Sequence, residues 1–138
     1  MACPFCAIVA GELDAHLVVE EPGVLAFLDQ RPVFKGHTLV VPRIHRDTLD
    51  DVPPGELAAL FGTVQRLATT MEHALGAGGS WVSVNNRVSQ SVPHVHAHVV
   101  PRTKGDGLRG FFWPRTKYDS DAEAARYAER LRAAYEQG

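Results

Sequence analysis

Three histidines alternate with small apolar residues in the stretch HVHAHVV, at positions 94, 96 and 98. Side chains on a β-strand alternate between its two faces, so a strand would place these three imidazoles on one face, about 6.6 Å apart. Imidazole is a common metal ligand, and near neutral pH it also serves as a nucleophile or a general acid–base. The pattern therefore indicates either a metal site or nucleophilic chemistry, against the simpler alternative of solvent-facing histidines on an edge strand.

The two cysteines of the chain form a second reactive group, Cys3-Pro-Phe-Cys6. The N-terminus lacks the charged and apolar regions of a signal peptide, so we expect a cytoplasmic, reducing location. There a cysteine pair acts more often as metal ligands or as a redox group than as a structural disulfide. A glutaredoxin-type dithiol needs a preceding strand, for which Met1 and Ala2 leave no room. A zinc site needs two further ligands.

Composition excludes several classes of partner. The chain has 138 residues with a formal net charge of −2, and its basic residues do not cluster. We therefore expect no nucleic-acid partner. No apolar run approaches the roughly 20 residues that span a bilayer, so we expect no membrane partner either. The length predicts a single domain over residues 1–138.

The elements that must position these residues follow from hydrophobic patterning. Strands are predicted at 17–20, 24–28, 37–42, 81–85 and 94–100, the first two as a hairpin across Pro22-Gly23. A long helix opens at 50–54 and stops at the glycines 76, 78 and 79, and its apolar stripe is Leu57, Leu60, Phe61, Val64, Leu67, Ala68, Met71 and Leu75. A capping box from Ser120 to Glu123 opens a last helix, with the stripe Ala124, Ala128, Leu131 and Tyr135. No βαβ alternation recurs, so the predicted fold class is α+β with a mainly antiparallel sheet.

Three blocks of sequence, taken together, resemble a known family. They are CPFCAIVAGEL at 3–13, VLAFLDQRPVFKGHTLVVPRIH at 24–45 and NNRVSQSVPHVHAHVVPR at 85–102. In this order they resemble the histidine triad (HIT) superfamily of nucleotide hydrolases and transferases, in the Hint and Fhit type with an N-terminal Cys-x-x-Cys. The resemblance implies a five-stranded, mainly antiparallel sheet carrying one long helix, with a core at about 3–102 and a C-terminal extension over 103–138. It also implies a homodimer.

The resemblance implies chemistry at the α-phosphate of a nucleotide. His96, the middle histidine, would attack phosphorus and form a nucleotidyl-histidine that water then hydrolyses. His98 would donate a proton to the phosphate or the leaving atom. Ser91 would contact the leaving group or the phosphate, and His37 would support the triad.

The same resemblance implies a nucleotide pocket, here for a purine nucleotide. Asp29 would accept from the ribose hydroxyls, and apolar residues would wall the base. The expected nucleotide-binding residues are Phe5, Ile8, Leu13, Phe27, Asp29, Gln30, Asn85, Ser89, Gln90, Ser91, His96 and His98.

The loop NNRVSQ departs from the family pattern. Relatives usually carry Asn-x-Gly and a glycine just before the glutamine, whereas this chain has Arg87 and Ser89 at those places. The phosphate contacts of this loop, those of Ser89 above all, therefore need to be located in the structure.

Zinc-bearing branches of the superfamily imply a ligand set for the cysteine pair. It maps to Cys3, Cys6, His45 and His94, two thiolates and two imidazoles around a structural zinc ion. The alternative is two reduced buried thiols beside a surface His45. No organic cofactor is expected, and His16 and His73 match nothing and are interpreted as surface residues.

These observations predict an enzyme that hydrolyses nucleoside phosphoramidates or dinucleoside polyphosphates. His98 stands where the longer uridylyltransferases and phosphorylases carry glutamine, which favours hydrolysis over transfer. The alternatives are a nucleotide-binding regulatory or scaffold protein with little turnover, a nucleotidyltransferase of small substrates, and a zinc-only binding module. The aromatic stretch GFFWPR at 110–115 is either a dimer contact or lid, or local packing.

Overall fold

The computed structural model describes residues 3–108 and 115–137. The chain divides into two compact units, one up to Asp106 and one from Gly107 onward. The stretch 110–115 lies outside the described residues except for Arg115.

The first unit contains two helices and five strands. The helices are α1 (Pro4–Val9) and α2 (Pro54–Leu75), with a short 3-10 turn at Leu49–Asp51. The strands are β1 (Leu17–Glu20), β2 (Val24–Leu28), β3 (Thr38–Pro42), β4 (Gly79–Val84) and β5 (Ala97–Arg102). The second unit contains α3 (Asp121–Gln137).

The five strands form one sheet in the order β1-β2-β3-β5-β4. Every neighbouring pair is antiparallel. The α+β class and the five-stranded antiparallel sheet predicted from the sequence are therefore confirmed.

Helix α2 covers one face of this sheet. Its buried residues Leu60, Val64, Leu67 and Met71 pack with alternate residues of the strands, namely Val24, Ala26, Val40, Ala97 and Val99. The predicted stripe omitted Thr63, which is buried because its hydroxyl donates to the Glu21 carboxylate at 2.6 Å. Leu75, at the end of the stripe, is exposed.

The opposite face of the sheet carries a second apolar cluster. It consists of Phe5, Leu25, Phe27, Leu39 and Val41. Phe5 comes from α1, a helix that the hydrophobic pattern did not predict. A helix of six residues is too short to show the helical spacing of apolar residues. It begins at a local signal, with Cys3 as N-cap and Pro4 in the first turn.

A glycine is required where the chain enters β3. Gly36 has φ of +103°, and a β-carbon there would lie 2.6 Å from Cδ1 of Leu75. The backbone therefore favours glycine immediately before His37, and a larger residue would also require the Leu75 side chain to move.

The last strand begins three residues later than predicted. The expected span was 94–100, whereas β5 begins at Ala97. The N–H of Val95 donates to the Arg46 carbonyl at 2.7 Å, and the carbonyl of His94 is held by the ring of His96 at 2.8 Å. These two backbone groups bond outside the hydrogen-bond ladder of the sheet, so His94 and His96 precede β5.

Helix α3 opens with half of the predicted capping box, because the Glu123 carboxylate accepts from Asp119 and not from Ser120. The Glu123 N–H donates to the Ser120 hydroxyl at 3.1 Å, and the Glu123 carboxylate accepts from the N–H of Asp119 at 2.8 Å. Leu131 and Tyr135 of its apolar stripe are exposed. Among the described residues, no helix combines the length and apolarity needed to cross a bilayer.

Candidate active site

A cavity of about 290 Å³ opens on the face of the sheet opposite α2. Helix α1 and the second apolar cluster form one wall, and the residues around the histidine strand form another. Nine of the predicted site residues line it: Phe5, Ile8, Leu13, Phe27, Asp29, Gln30, Ser91, His96 and His98.

His96 is held in one orientation at the wall of the cavity. Its Nδ1 lies 2.8 Å from the carbonyl oxygen of His94. A carbonyl can only accept, so Nδ1 carries the proton and the neutral ring keeps its lone pair on Nε2. The ring of Phe5 packs edge-on against His96, with centroids 5.1 Å apart. His96 is therefore a buried imidazole that presents an unprotonated Nε2.

His98 belongs to a chain of hydrogen bonds whose direction is fixed. The N–H of Val33 donates to Nδ1 of His37 at 3.0 Å, which places the His37 proton on Nε2. His37 Nε2 lies 2.9 Å from Nδ1 of His98, so it donates and His98 accepts. The neutral His98 ring must then carry its own proton on Nε2. The chain therefore places a donor, His98 Nε2–H, beside an unprotonated imidazole nitrogen, His96 Nε2.

Burial keeps these imidazoles neutral. Burial, with the neighbouring His96 and His37, lowers the pKa of His98 to about 4. Burial likewise lowers the pKa of His37, against the opposing charge of Asp29, and lowers the pKa of His96. At neutral pH the site therefore combines an uncharged nucleophile with an uncharged donor.

Asp29 lies beside this chain. Its Oδ1 accepts from the N–H of Arg31 at 2.9 Å, and its Oδ2 lies 3.6 Å from Nε2 of His37. Asp29, His37 and His98 resemble a two-histidine, one-carboxylate metal site by distance. His37 cannot ligate through Nε2, however, because the Val33 N–H forces the proton onto that nitrogen. The cluster is a proton-ordered network and not a metal centre.

Three predicted nucleotide contacts lie away from the cavity lining, although all are in the described part of the chain: Asn85, Ser89 and Gln90. The amide of Gln90 bonds to the protein itself, since its oxygen accepts from the N–H of Arg87 at 2.8 Å and its nitrogen donates to the carbonyl of Asp47 at 2.6 Å. His37, the predicted supporting residue, also lies off the lining, behind His98.

The loop that precedes Ser91 keeps the backbone of a glycine-containing loop without the glycines. Arg87 has φ of 67° and Ser89 has φ of 62°, and both values lie in the left-handed region that glycine favours. These are the two positions where the sequence departs from the family pattern. Both non-glycine residues therefore carry backbone strain.

Sequence reasoning missed two basic residues at the cavity. His16, interpreted as a surface residue, is exposed and also lines the cavity, as does Arg31. Arg31 follows Asp29 by two residues, and the turn at Asp29 brings it to the same opening. The sequence signal that could have found Arg31 was its position two residues after Asp29, just beyond the end of a strand. His73 is exposed on α2.

The four expected zinc ligands converge beside the cavity. The sulfurs of Cys3 and Cys6 and the ring nitrogens of His45 and His94 all lie within 4.8 Å of one another. Nδ1 of His94 lies 3.4 Å from Cys3 Sγ and 3.6 Å from Cys6 Sγ, and Nδ1 of His45 lies 3.3 Å from Cys6 Sγ. A tetrahedral zinc ion with bonds of about 2.3 Å to sulfur and about 2.1 Å to nitrogen separates these ligands by about 3.5 Å.

The outer nitrogens of both imidazoles are engaged in a way that suits a metal. His94 Nε2 donates to the Pro42 carbonyl at 2.8 Å, and His45 Nε2 lies 2.7 Å from the Asp47 carboxylate. Both rings therefore turn an unprotonated Nδ1 towards the sulfurs, the arrangement of a metal-binding histidine with an outer acceptor. The donor set fits zinc. The cysteines are free thiols, without a disulfide between them.

Comparison with known proteins places this geometry in a family context. The HIT domain model matches residues 10–105. The chain is 40% identical over 126 residues to an uncharacterized HIT-like protein of Mycobacterium tuberculosis, covering 90% of this chain and 88% of that protein. Among solved structures, a protein of Streptococcus mutans is similar with a TM-score of 0.85 and 32% identity, over 96% of this chain and 85% of that chain.

Three further relatives carry more informative descriptions. A zinc-bound histidine triad protein of Mycobacterium smegmatis has a TM-score of 0.75 and 36% identity, over 97% of this chain and 98% of that one. An adenylylsulfatase of Arabidopsis thaliana is 33% identical, over 77% of this chain and 55% of its own length. An adenosine 5′-monophosphoramidase of Candida albicans is 29% identical, over 87% of this chain and 83% of its own length.

Proposed function

The chain belongs to the histidine triad family, and from this membership and the geometry of the cavity we propose that it hydrolyses nucleotides at the α-phosphate. The proposed substrates are purine nucleoside phosphoramidates and dinucleoside polyphosphates. Relatives described as an adenosine 5′-monophosphoramidase and an adenylylsulfatase support an adenylyl group joined to a small leaving group.

The observation that carries the proposal is the orientation of His96. Its Nδ1–H is held by the His94 carbonyl, so Nε2 is the nucleophilic nitrogen. In the first step Nε2 forms a bond to the α-phosphorus, and the bond from phosphorus to the leaving nitrogen or oxygen breaks. The nucleotidyl group is then covalently attached to His96.

His98 Nε2–H donates a hydrogen bond to the leaving atom as its bond to phosphorus breaks, and the leaving atom takes its proton from water. In the second step a water molecule attacks phosphorus, the bond to His96 Nε2 breaks, and the proton of that water passes to solvent. A nucleoside monophosphate is released with both rings in their starting tautomers. His37 positions His98 through the bond at 2.9 Å, and Ser91 contacts the phosphate or the leaving group at the cavity wall.

The remaining proposed contacts bind the nucleoside. Asp29 accepts from the ribose hydroxyls while its Oδ1 also holds the loop at Arg31. The base lies against Phe5, Ile8, Leu13 and Phe27. Gln30 lines the same opening, and Asn85, Ser89 and Gln90 act by shaping the loop that leads to Ser91.

Zinc has a structural part in this proposal. Cys3, Cys6, His45 and His94 would hold it, and the ion would neutralise the two thiolates and tie the N-terminal segment to the histidine strand. His94 would then serve as a ligand and not as a catalytic base. We further propose that the functional unit is a homodimer, that the whole chain forms a single domain and that the protein works in the cytoplasm.

The test is release of adenosine monophosphate from adenosine 5′-phosphoramidate. The wild type and His73→Ala, a control at an exposed histidine on α2, should turn over the substrate equally. His96→Ala should lose about 1000-fold or more in kcat and still bind adenosine monophosphate, because His98 and the pocket remain. A protein that binds the nucleotide with no turnover in the wild type would instead be the regulatory alternative, and unchanged turnover in His96→Ala would exclude this mechanism.

A further inference from the structure

The candidate zinc site and the nucleotide cavity share the N-terminal segment. Cys3 and Cys6 bracket Pro4 and Phe5, and both bracketed residues line the cavity. Phe5 is buried and packs against Phe27 at a centroid distance of 5.3 Å as well as against His96. An ion that fixes the two sulfurs therefore fixes a wall of the pocket.

A second connection runs through one residue. Nδ1 of His94 faces the two sulfurs, and the carbonyl of the same residue holds the ring of His96. The position of His94 therefore determines the direction of the proposed nucleophile.

A third connection runs from the other imidazole to the loop before Ser91. His45 Nε2 lies 2.7 Å from the Asp47 carboxylate, and the Asp47 carbonyl accepts from the Gln90 amide at 2.6 Å. Gln90 in turn holds the N–H of Arg87 and precedes Ser91 in sequence. The loop with two left-handed residues is thus attached to the partner of a zinc ligand.

We propose that zinc binding and nucleotide binding are thermodynamically coupled in this protein, and that Asp47 and Gln90 are positioning residues that carry part of the coupling. The proposal rests on the proposed function for the choice of nucleotide. Each ligand should stabilise the wall, the ring orientation and the loop that the other requires. Coupling between sites is reciprocal, so zinc must strengthen nucleotide binding by the same factor as nucleotide strengthens zinc binding.

The first experiment measures both sides of this linkage. Calorimetry gives the Kd of adenosine monophosphate for the zinc-loaded and the metal-free protein, and equilibrium competition with a chromophoric chelator gives the zinc affinity with and without saturating nucleotide. We expect each affinity to rise about fivefold or more when the other ligand is present, within the usual range for coupled sites. If the metal-free protein does not fold, the competition assay on the loaded protein still gives the factor.

The second experiment uses a matched pair of variants. Asp47→Ala removes the acceptor for His45, whereas Asp47→Asn keeps an oxygen in the same place. Asp47→Ala should reduce the coupling factor by about half or more, and Asp47→Asn should retain it. Gln90→Ala should reduce it while leaving the Asp47 carboxylate beside His45 in place. Equal losses in Asp47→Ala and Asp47→Asn would contradict the positioning role.

The outcomes separate the two proposals. If the nucleotide binds, but with the same affinity to both forms and without effect on zinc affinity, coupling is excluded and the proposed function stands. If the nucleotide binds to neither form, the proposed function and the coupling are both wrong. A protein that binds no zinc in the chelator assay also excludes the coupling.

Discussion

His98 shows how much of this site depends on a single proton. The direction of three hydrogen-bonding groups, from Val33 through His37 to His98, follows from one backbone N–H that can only donate. The neutral ring therefore has its donor on Nε2. Protonation of His98 would place a second proton on Nδ1, against His37 Nε2–H, and would break this chain.

We predict that the His98 ring stays neutral well below pH 6. Burial and the two adjacent imidazoles lower its pKa to about 4 from the ordinary 6.5. The fold therefore gains stability from neutral His98 that is fully present above pH 6.5 and is lost as pH falls towards 4. Ring-proton NMR from pH 7 to 4, with His98→Asn to assign the signal, should show the neutral shift at pH 5.5. A midpoint near 6.5 would contradict the buried network.

From the position of Asp29 we predict that the site selects nucleotides that carry the ribose hydroxyls. Removal of the hydroxyl partners leaves the carboxylate unsatisfied, at a cost of about 1–3 kcal/mol, or roughly 5–150-fold in Kd. Adenosine monophosphate should therefore bind more tightly than its 2′,3′-dideoxy form. Asp29→Asn keeps the acceptor for the Arg31 N–H and should reduce the ratio of the two constants. Equal affinities of the wild type for both nucleotides would exclude the ribose contact.

At this scale the sequence pointed to the imidazoles and missed their protonation. The alternation of His94, His96 and His98 left metal binding and nucleophilic chemistry open, and the family resemblance proposed a nucleophile and a donor among them. The alternation could not show that His94 and His96 precede the strand, or which nitrogen of each ring carries the proton. For His94 and His98 these facts depend on Pro42, Arg46 and, through His37, Val33, which are far from the histidine stretch in sequence.

Among the elements, the loop over residues 85–90 has a backbone conformation that its residue types disfavour. A non-glycine residue in the left-handed region costs about 1–2 kcal/mol, and both Arg87 and Ser89 adopt it. The strain is sustained by contacts to the segment that follows β3, since Leu49 N–H donates to Asn86 at 2.8 Å and Gln90 bonds to Asp47. The long helix and the strands, by contrast, were predictable because their hydrophobic periods agree with their tertiary environment.

We predict that Ser89→Gly stabilises the protein. Glycine relieves about 1–2 kcal/mol of left-handed strain, but its greater freedom in the unfolded chain costs about 0.5–1 kcal/mol on folding. The free energy of unfolding should therefore rise by about 0.5–1 kcal/mol. Ser80→Gly is the matched control, because Ser80 lies on β4 at an ordinary φ, and it should destabilise. Denaturant unfolding measures both variants. A loss of stability in Ser89→Gly equal to that in Ser80→Gly would show that the loop is unstrained.

For the molecule as a whole, zinc is the expected link between the N-terminal segment and the sheet. The family blocks contain all four candidate ligands, whereas the helix α1 that carries Cys6 was too short to predict. We expect metal analysis of protein purified without chelator or affinity tag to give one zinc per chain. Chelation should lower the Tm by on the order of 10 °C.

Two variants sharpen the zinc measurement. Cys6→Ala should lose the metal, while His73→Ala, with an exposed histidine on α2, should retain it. Chelation should lower thermal stability more than it lowers the turnover of the protein that remains folded. Absence of zinc from the wild type, or equal metal content in Cys6→Ala, would leave the cysteines as ordinary thiols.

The central claim, covalent catalysis by His96, has a direct measurement. Enzyme mixed with adenosine 5′-phosphoramidate and quenched within one turnover should carry an adenylyl group, and peptide mapping by mass spectrometry should locate it on His96. His98→Asn should form this species more slowly, because the leaving atom loses the imidazole Nε2–H that contacts it. An adenylyl group found on another residue, or rapid turnover with no label at any quench time, would contradict the account.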